Sequence, residues 1–307
     1  MSYSFLKESK LFIVYGGNKY KIYTTTALSF SQSFAEDSYP VKTLHDQSKM
    51  IEGTTITKAN PAQFSFTVPL TAEKDESIVM DLLSDLVVTS DSDIETQQLK
   101  SFDMYVQTTN STFKIQSCVI TSAEFAFNPR QEFSVNLSGQ GTKLNRAGNE
   151  SYSIPGSLQS ESSTRTSLQV YPVVSIDSLD MNNIISATVQ IQNTIDWTPF
   201  ETLHNSLSVT NSSNAMFPSA YTVTSRIVSG AVTQYQTNNN ITQFDDFSTS
   251  SDINIIAKKF DGTTFWALQI NPGMYTARMQ VSDVYSQTYD FRSTDNTALG
   301  TRITTYS

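Results

Sequence analysis

Cysteine and histidine are nearly absent from this chain of 307 residues. Cys118 is the only cysteine, which excludes an intrachain disulfide and a cluster of thiolate metal ligands. It lies in the alternating run FKIQSCV, where we expect a buried, inert thiol, because a reactive cysteine needs a basic neighbour or a helix N-terminus. His45 and His204 are the only histidines, and neither a nucleophile elbow nor a histidine-containing triad is present. The sequence therefore predicts no catalytic site.

Cations and long apolar runs are also scarce. The chain has 20 Lys and Arg against 29 Asp and Glu, a net charge of −9, and no basic run longer than Lys258-Lys259. Tight binding to nucleic acid needs clustered cations, so that class of protein is excluded. No stretch approaches the ~18 apolar residues of a membrane span. The first apolar run stops at Gly16 and is too short for a signal-peptide core, so we expect assembly in a cytosol.

Small polar and aromatic residues take the place of the missing types. Hydrophobic residues make up 38% and charged residues 16%, while the chain has 18 Phe and 14 Tyr. This composition favours strands over helices, and so many aromatic residues argue against disorder. The alternation of half-buried strands recurs from end to end, as in QFSFTVPL, FSVNLS and TFWALQI. The sequence predicts a mainly β protein.

Two local patterns are more specific. LFIVY and KYKIY flank Gly16-Gly17-Asn18, which predicts a hairpin. The segment 71–87 (TAEKDESIVMDLLSDLV) predicts an amphipathic helix with Thr71 as its N-cap. Its apolar stripe, which we expect to lie on a sheet, consists of Ile78, Val79, Leu82, Leu83 and Leu86.

Two segments have no hydrophobic period. Residues 35–61 form a long loop or loose ribbon, and a loop of this length is usually functional or mobile. Residues 146–165 are polar with Gly, Pro and Ser, which is typical of an interdomain linker. These patterns predict a first domain at 1–145 and a second at 166–307.

Both histidines close the same tripeptide, Thr-Leu-His, 159 positions apart (204 minus 45). A proline precedes each tripeptide at the same spacing, so the matching sets are Pro40, Thr43, Leu44, His45 and Pro199, Thr202, Leu203, His204. The order of predicted elements also repeats, although segment 231–247 has only a weak pattern where a second helix is expected. We interpret the chain as a tandem duplication. Copies of one histidine fall on two domains, so a packing role in the loops is favoured over catalysis or metal binding.

Other motifs have ordinary explanations. The acidic run TSDSDIE lacks the glycine and distal glutamate of a calcium loop, so a solvated turn is favoured. The glycines of LSGQGTKL match neither a dinucleotide-binding nor a phosphate-binding loop. We therefore expect no metal, no cofactor and no enzymatic activity.

The element order, ending in the run IQSCVITSAEFAFNPRQEFSVNLSGQGTKL with its turn at Ser138-Gly139, resembles bacteriophage tail tube proteins. The duplication makes the chain similar to those of long-tailed phages that carry two tube domains in one chain. The resemblance covers about 1–145 and, more loosely, 166–292. It implies two tandem tail-tube-type β-sandwich or barrel domains with long loop arms, the first with one amphipathic helix.

The resemblance also implies a function. Such proteins build three-subunit rings of pseudo-sixfold symmetry, stacked into a hollow tube that conducts DNA from capsid to host. The partners would be further copies of the chain, a tape-measure protein, and tail terminator and tip proteins, all in the virion. The arms 35–61 and 193–218 would carry the ring or inter-ring contacts, and an acidic, polar wall would let DNA slide without specific binding.

Two alternatives remain open at this point. One is another β-rich virion structural protein, such as a baseplate, capsid or decoration component. The other is a carbohydrate- or receptor-binding β-sandwich, whose platform could use Trp197 or Trp266 together with exposed tyrosines.

Overall fold

The computed structural model describes residues 8–22, 28–40, 51–70, 77–83, 99–128, 131–159, 170–177, 179–197, 217–218, 220–243, 245–281, 283–294 and 302–304. The strands of residues 1–159 are β1 (Lys10–Tyr15), β2 (Asn18–Ile22), β3 (Ser29–Ser31), β4 (Phe34–Pro40), β5 (Ile51–Ala59), β6 (Ala62–Pro69), β7 (Phe102–Gln107), β8 (Thr112–Phe127), β9 (Ser134–Gly141), β10 (Lys143–Gly148) and β11 (Ser157–Leu158). The later strands are β12 (Val170–Ile176), β13 (Ile184–Trp197), β14 (Tyr221–Tyr235), β15 (Phe247–Lys259), β16 (Thr264–Gln280), β17 (Ser286–Ser293) and β18 (Arg302–Thr304). The fold is mainly β, as the sequence predicts.

Antiparallel pairing organises the first half of the chain. The strands lie in the order β1-β7-β8-β9-β6-β3, and β2 extends the sheet beyond β1. The predicted hairpin of β1 and β2 is present, with Tyr15 opposite Asn18. Its two turn residues, Gly16 and Gly17, both have positive φ, which is the conformation that a two-residue hairpin turn requires.

The second half repeats this pairing order. Its strands lie in the order β12-β15-β16-β17-β14-β13, so each neighbour pair in the order β1-β7-β8-β9-β6-β3 has a counterpart. The short strand β18 lies along β16 in the same way that β10 lies along β8. The sequence-based division at 146–165 stays a prediction, but the two halves share one topology.

Among the described residues, one strand pair joins the two halves. Residues Ser122–Phe127 of β8 pair antiparallel with Ala187–Gln192 of β13, which makes one sheet of 16 strands. The apolar core crosses the same junction. The ring of Trp266 lies 4.8 Å from that of Phe125, and Phe133 lies 6.0 Å from Phe265. The halves are therefore held together by backbone pairing and by a shared aromatic core.

One α-helix, α1 (Ser77–Leu83), lies in the described part of the chain. Ile78, Val79, Leu82 and Leu83 are buried in the core, so the apolar stripe is confirmed over these residues. The predicted N-cap Thr71 and the last stripe residue, Leu86, lie outside the described residues. In the second half, segment 231–247 contains the end of β14 and a 3-10 helix at Ile241–Gln243.

Three details differ from or refine the sequence-based picture. The alternating run FKIQSCV continues without a break into ITSAEFAF as the single strand β8, with a bulge between Ile120 and Ser122. Within 35–61, β4 and β5 pair as an isolated two-stranded ribbon. Residues 149–159 pack on the first half, where Tyr152 stacks on Tyr105 and β11 pairs with β2.

Candidate assembly surfaces

The sheet presents a polar face that continues from the first half to the second. Directly opposite residues of antiparallel strands point to the same face. The registers place one row of such residues across six strands, and this row consists of Thr67, Asn136, Glu124, Gln190, Ser229 and Arg292. A second row consists of Ser29, Ser65, Ser138, Ser122 and Gln192. We call these two rows the polar face.

The polar face holds few ionic contacts. Thr67 Oγ1 donates a hydrogen bond to Asn136 Oδ1 at 2.6 Å, which fixes two neighbouring side chains. Near the far end, the exposed Arg278 and Asp290 form an ion pair at 2.8 Å, so their charges offset each other. Glu124 is exposed and adds a carboxylate in the middle of the face. Within the two rows Arg292 is the one cation.

Several large apolar side chains are exposed at the margins of the sheet. The most exposed are Phe260 and Phe247, at 77% and 72%. A separate group lies where β16 turns into β17 and consists of Met279, Val281, Val284 and Tyr285. Exposed apolar groups at a sheet margin are typical of contact surfaces. Sequence reasoning missed this group: Met279 and Val281 belong to the alternating run MYTARMQV, but alternation alone does not show which strand lies beside it.

Of the loop residues chosen from the sequence, Pro40 is the one that lies among the described residues. Pro40 is the last residue of β4, in the β4–β5 ribbon. Thr43, Leu44 and His45 lie outside the described residues, and so do Pro199, Thr202, Leu203 and His204. Phe34 and Ile56 of the ribbon are exposed apolar side chains. The role of the Thr-Leu-His loops stays a prediction.

The two tryptophans do not form an exposed binding platform. Trp266 is completely buried against Phe125 and Phe127. Trp197 is the last residue of β13, and its Nε1 donates a hydrogen bond to Gln140 Oε1 at 2.6 Å while its ring lies 5.2 Å from that of Tyr221. Both indoles are used in internal packing, so neither supplies the exposed ring that the glycan-binding alternative assigned to it.

Burial disfavours the ionised form of titratable groups in the core. Cys118 is fully buried, as predicted, and burial raises the pKa of its thiol well above the usual value. Burial, followed by the nearby charge of Asp246, raises the pKa of Tyr275 to about 12. Among the described residues no group of three or more His, Cys, Asp or Glu side chains is placed to hold a metal ion. None of the described helices has the length and apolar character needed to cross a membrane.

These features define a class: a mainly β protein with a continuous polar sheet face and apolar sheet margins. The model of the Bacteriophage Baseplate Tube Protein Family matches residues 1–301, so the chain belongs to that family. No curated protein matches the sequence. The chain is thus a structural component of the phage virion, related to the tail tube, and it assembles with other virion proteins. This confirms the coarse part of the sequence-based resemblance, and the baseplate was among the locations left open.

Proposed function

We propose that this chain forms three-subunit rings of pseudo-sixfold symmetry, which stack as a hollow tube segment that conducts DNA. The observation that carries the proposal is the repeated pairing order of the two halves, joined by the β8–β13 strand pair. A junction that already links one half to the next inside a chain can be repeated between chains. Head-to-tail contacts of this kind close into a ring when the rotation allows.

The polar face is the part of the chain that we assign to the wall of the channel. It is lined mainly by Ser, Thr, Asn and Gln, with Glu124 near its centre. Each phosphate that a fixed cation neutralises strengthens the binding of DNA, so a wall with few cations lets DNA slide. The net charge of −9 acts in the same direction. The role is passive, without catalysis or a cofactor.

Other partners follow from the position of a tube in the virion. We propose that the rings grow around a tape-measure protein and end against tail terminator and tip proteins. The arms 35–61 and 193–218 would contact neighbouring subunits or rings. Assembly would take place in the host cytoplasm.

The first test is negative-stain electron microscopy of the purified protein, with its mass in solution measured on the same sample. We expect hollow rings or short tubes and a trimeric or polymeric mass. A protein that stays monomeric and forms no rings, also when the adjacent baseplate proteins are added, would contradict the proposal. Rings with a number of chains other than three would contradict the assignment of two tube units to each chain.

A further inference from the structure

The repeated pairing order gives each position of one half a counterpart in the other. Phe64 of β6 and Gly230 of β14 are at matching positions of the two halves. Phe30 of β3 lies opposite Phe64, and Val189 of β13 lies opposite Gly230. Further across the two sheets, Ala123 of β8 lies opposite Leu137, as Ala277 of β16 lies opposite Tyr289. Strand β3 is therefore the counterpart of β13, and the end of β16 is the counterpart of the end of β8.

One of these two strand ends is covered within the chain. Residues Ser122–Phe127 of β8 pair with β13, where Phe125 is opposite Val189 and Phe127 is opposite Ala187. All four side chains are buried, with Phe125 at 0% and Phe127 at 3% exposure. The strand pair thus closes the apolar core at the junction of the two halves.

The counterpart strand end is open. On this side of β16, the pairing with β15 ends at Thr276 opposite Phe247, followed by one hydrogen bond from Ala277 N–H to the Asp246 carbonyl at 2.9 Å. Within the described residues no strand lies beside 278–281 on that side. Met279, the counterpart of Phe125, is 43% exposed, and Val281, the counterpart of Phe127, is 71% exposed.

Strand β3 shows the complementary feature. It pairs with β6 alone among the described strands, whereas its counterpart β13 lies between β14 and β8. Its flank Leu28 and its central residue Phe30 are only half-buried, although they pack against the core. Their counterparts, Ala187 and Val189, are fully buried. In the first half the end of β8 is paired within the chain and the edge of β3 is open. In the second half β13 is paired within the chain and the end of β16 is open.

We propose that a second copy of this chain covers the open end of β16 with its β3, in the register of the internal β13–β8 junction. Leu28 of one copy then lies opposite Val281 of the next, and Phe30 lies opposite Met279. Ser31 lies opposite Arg278 on the solvent side of the same strand pair. This inference rests on the proposed ring, for which it names the contact between subunits.

The physical reasons are those of any exposed strand edge. Unpaired N–H and C=O groups of an edge bind an added strand through main-chain hydrogen bonds. The partly exposed side chains of Leu28, Phe30, Met279 and Val281 would be buried together by that pairing, and the burial of apolar surface favours it. Because β3 and the end of β16 differ, the contact is head-to-tail, and a head-to-tail contact closes into a ring when the rotation allows.

The first experiment places a charge on the open edge. Met279 and Val281 are exposed, so we expect the monomers of the variants Met279→Asp and Val281→Asp to keep the circular dichroism spectrum and the thermal midpoint of the unmodified protein. The buried, unpaired carboxylate should raise the protein concentration needed for ring formation by about tenfold or more. Ile241→Asp, a similarly exposed apolar position in the 3-10 helix, is the matched control and should leave ring formation unchanged.

The second experiment tests the register by disulfide cross-linking. The only native cysteine is buried, so Ser31→Cys with Arg278→Cys introduces the only accessible thiols. Under mild oxidation we expect covalent trimers in a non-reducing gel. Ser31→Cys with Asp261→Cys, at the opposite end of β16, should give none.

The outcomes separate this contact from the proposed function. Trimers from the Ser31–Arg278 pair, together with loss of rings in the aspartate variants, support the contact. Rings that form with normal concentration dependence in both aspartate variants, and without cross-linking, would overturn the contact while the ring itself stands. An unmodified protein that stays monomeric, also when the adjacent baseplate proteins are added, would overturn both the ring and the contact.

Discussion

At the scale of single residues, a glycine and a phenylalanine face each other at the same sheet position in both halves. Phe64 on β6 is opposite Gly139 on β9, whereas Gly230 on β14 is opposite Phe291 on β17. The glycine lies on the later strand of the pair, β9, in the first half, but on the earlier strand, β14, in the second half. In each case the ring covers the glycine, so the larger side chain of one strand fills the space that the other leaves open.

We predict that Gly139→Ala and Gly230→Ala destabilise the fold, although alanine is otherwise an ordinary strand residue. A Cβ at Gly139 would overlap the Phe64 ring and the backbone carbonyl of Val119, and one at Gly230 would overlap the Phe291 ring and the carbonyl of Thr188. Because a backbone carbonyl cannot rotate away, we expect a loss of about 1–3 kcal/mol in the free energy of unfolding, measured by urea denaturation.

The neighbouring change Ser138→Ala is the control for these variants, since its side chain points to the polar face and should alter stability by no more than about 0.5 kcal/mol. Equal stability of Gly139→Ala and the unmodified protein would show that the strands can separate at this point, against the close packing described above.

At the scale of elements, the long strands β8 and β16 determine how the halves are connected. The first part of β8 pairs with β7 and β10, and its last part pairs with β9 and β13. The start of β8 thus pairs only within the first half, whereas its end also forms the junction with the second half. Strand β16 has the same arrangement, except that its last residues lack the partner that β13 provides for β8.

The loop arms are the other elements with an expected role in assembly. We predict that His45→Ala combined with His204→Ala lowers the fraction of protein in stacked rings, because both copies of Thr-Leu-His would lose the same contact. Tube length and ring counts in electron micrographs measure this effect. Asp46→Asn gives the first Thr-Leu-His the same following residue as the second, where Asn205 follows the histidine, and this variant should assemble normally.

Leucine provides an independent check on the same loops. If neither the histidine pair nor Leu44→Ala combined with Leu203→Ala changes tube assembly, the Thr-Leu-His copies have no assembly role, and their similarity reflects only the duplication.

At the scale of the whole molecule, the distribution of charge matters more than its total. Uncharged polar residues and Glu124 occupy the centre of the polar face, while the cations Arg278 and Arg292 lie near its second-half end. The centre of the face therefore offers phosphate no fixed cation to bind. This property suits the proposed role of the face as the wall of a DNA channel.

Gln63 is an exposed residue of β6 two positions before Ser65, so it lies on the same side of the sheet as the polar face. We predict that Gln63→Lys combined with Glu124→Lys makes assembled rings retain DNA. The retention should decrease steeply as salt concentration rises, because bound phosphates release counterions. Filter binding or gel retardation over a salt series measures this effect. Gln131→Lys combined with Glu132→Lys adds the same charge at the turn between β8 and β9 and should bind DNA much more weakly. Equal retention by both variants would place the channel wall elsewhere.

The sequence by itself determined the local features of this protein. The alternation in QFSFTVPL and FSVNLS shows which side chains of β6 and β9 enter the core, because the period of a strand is two. Gly16-Gly17 fixes the first hairpin, since two consecutive residues with positive φ need glycine. The stripe of α1 and the burial of Cys118 follow from similar short-range rules. The order of elements, together with the run that ends at the Ser138-Gly139 turn, was enough to suggest a phage tube protein.

Only the tertiary structure decided which strands lie side by side. Alternation assigns a face to each residue but not a neighbour to each edge, so the β8–β13 pair and the open end of β16 could not be read from the sequence. Met279 and Val281 have the same pattern as Phe125 and Phe127, yet one pair is exposed and the other is buried. The difference arises from pairing between residues far apart in the chain, and that long-range pairing turns an ordinary strand end into a contact surface.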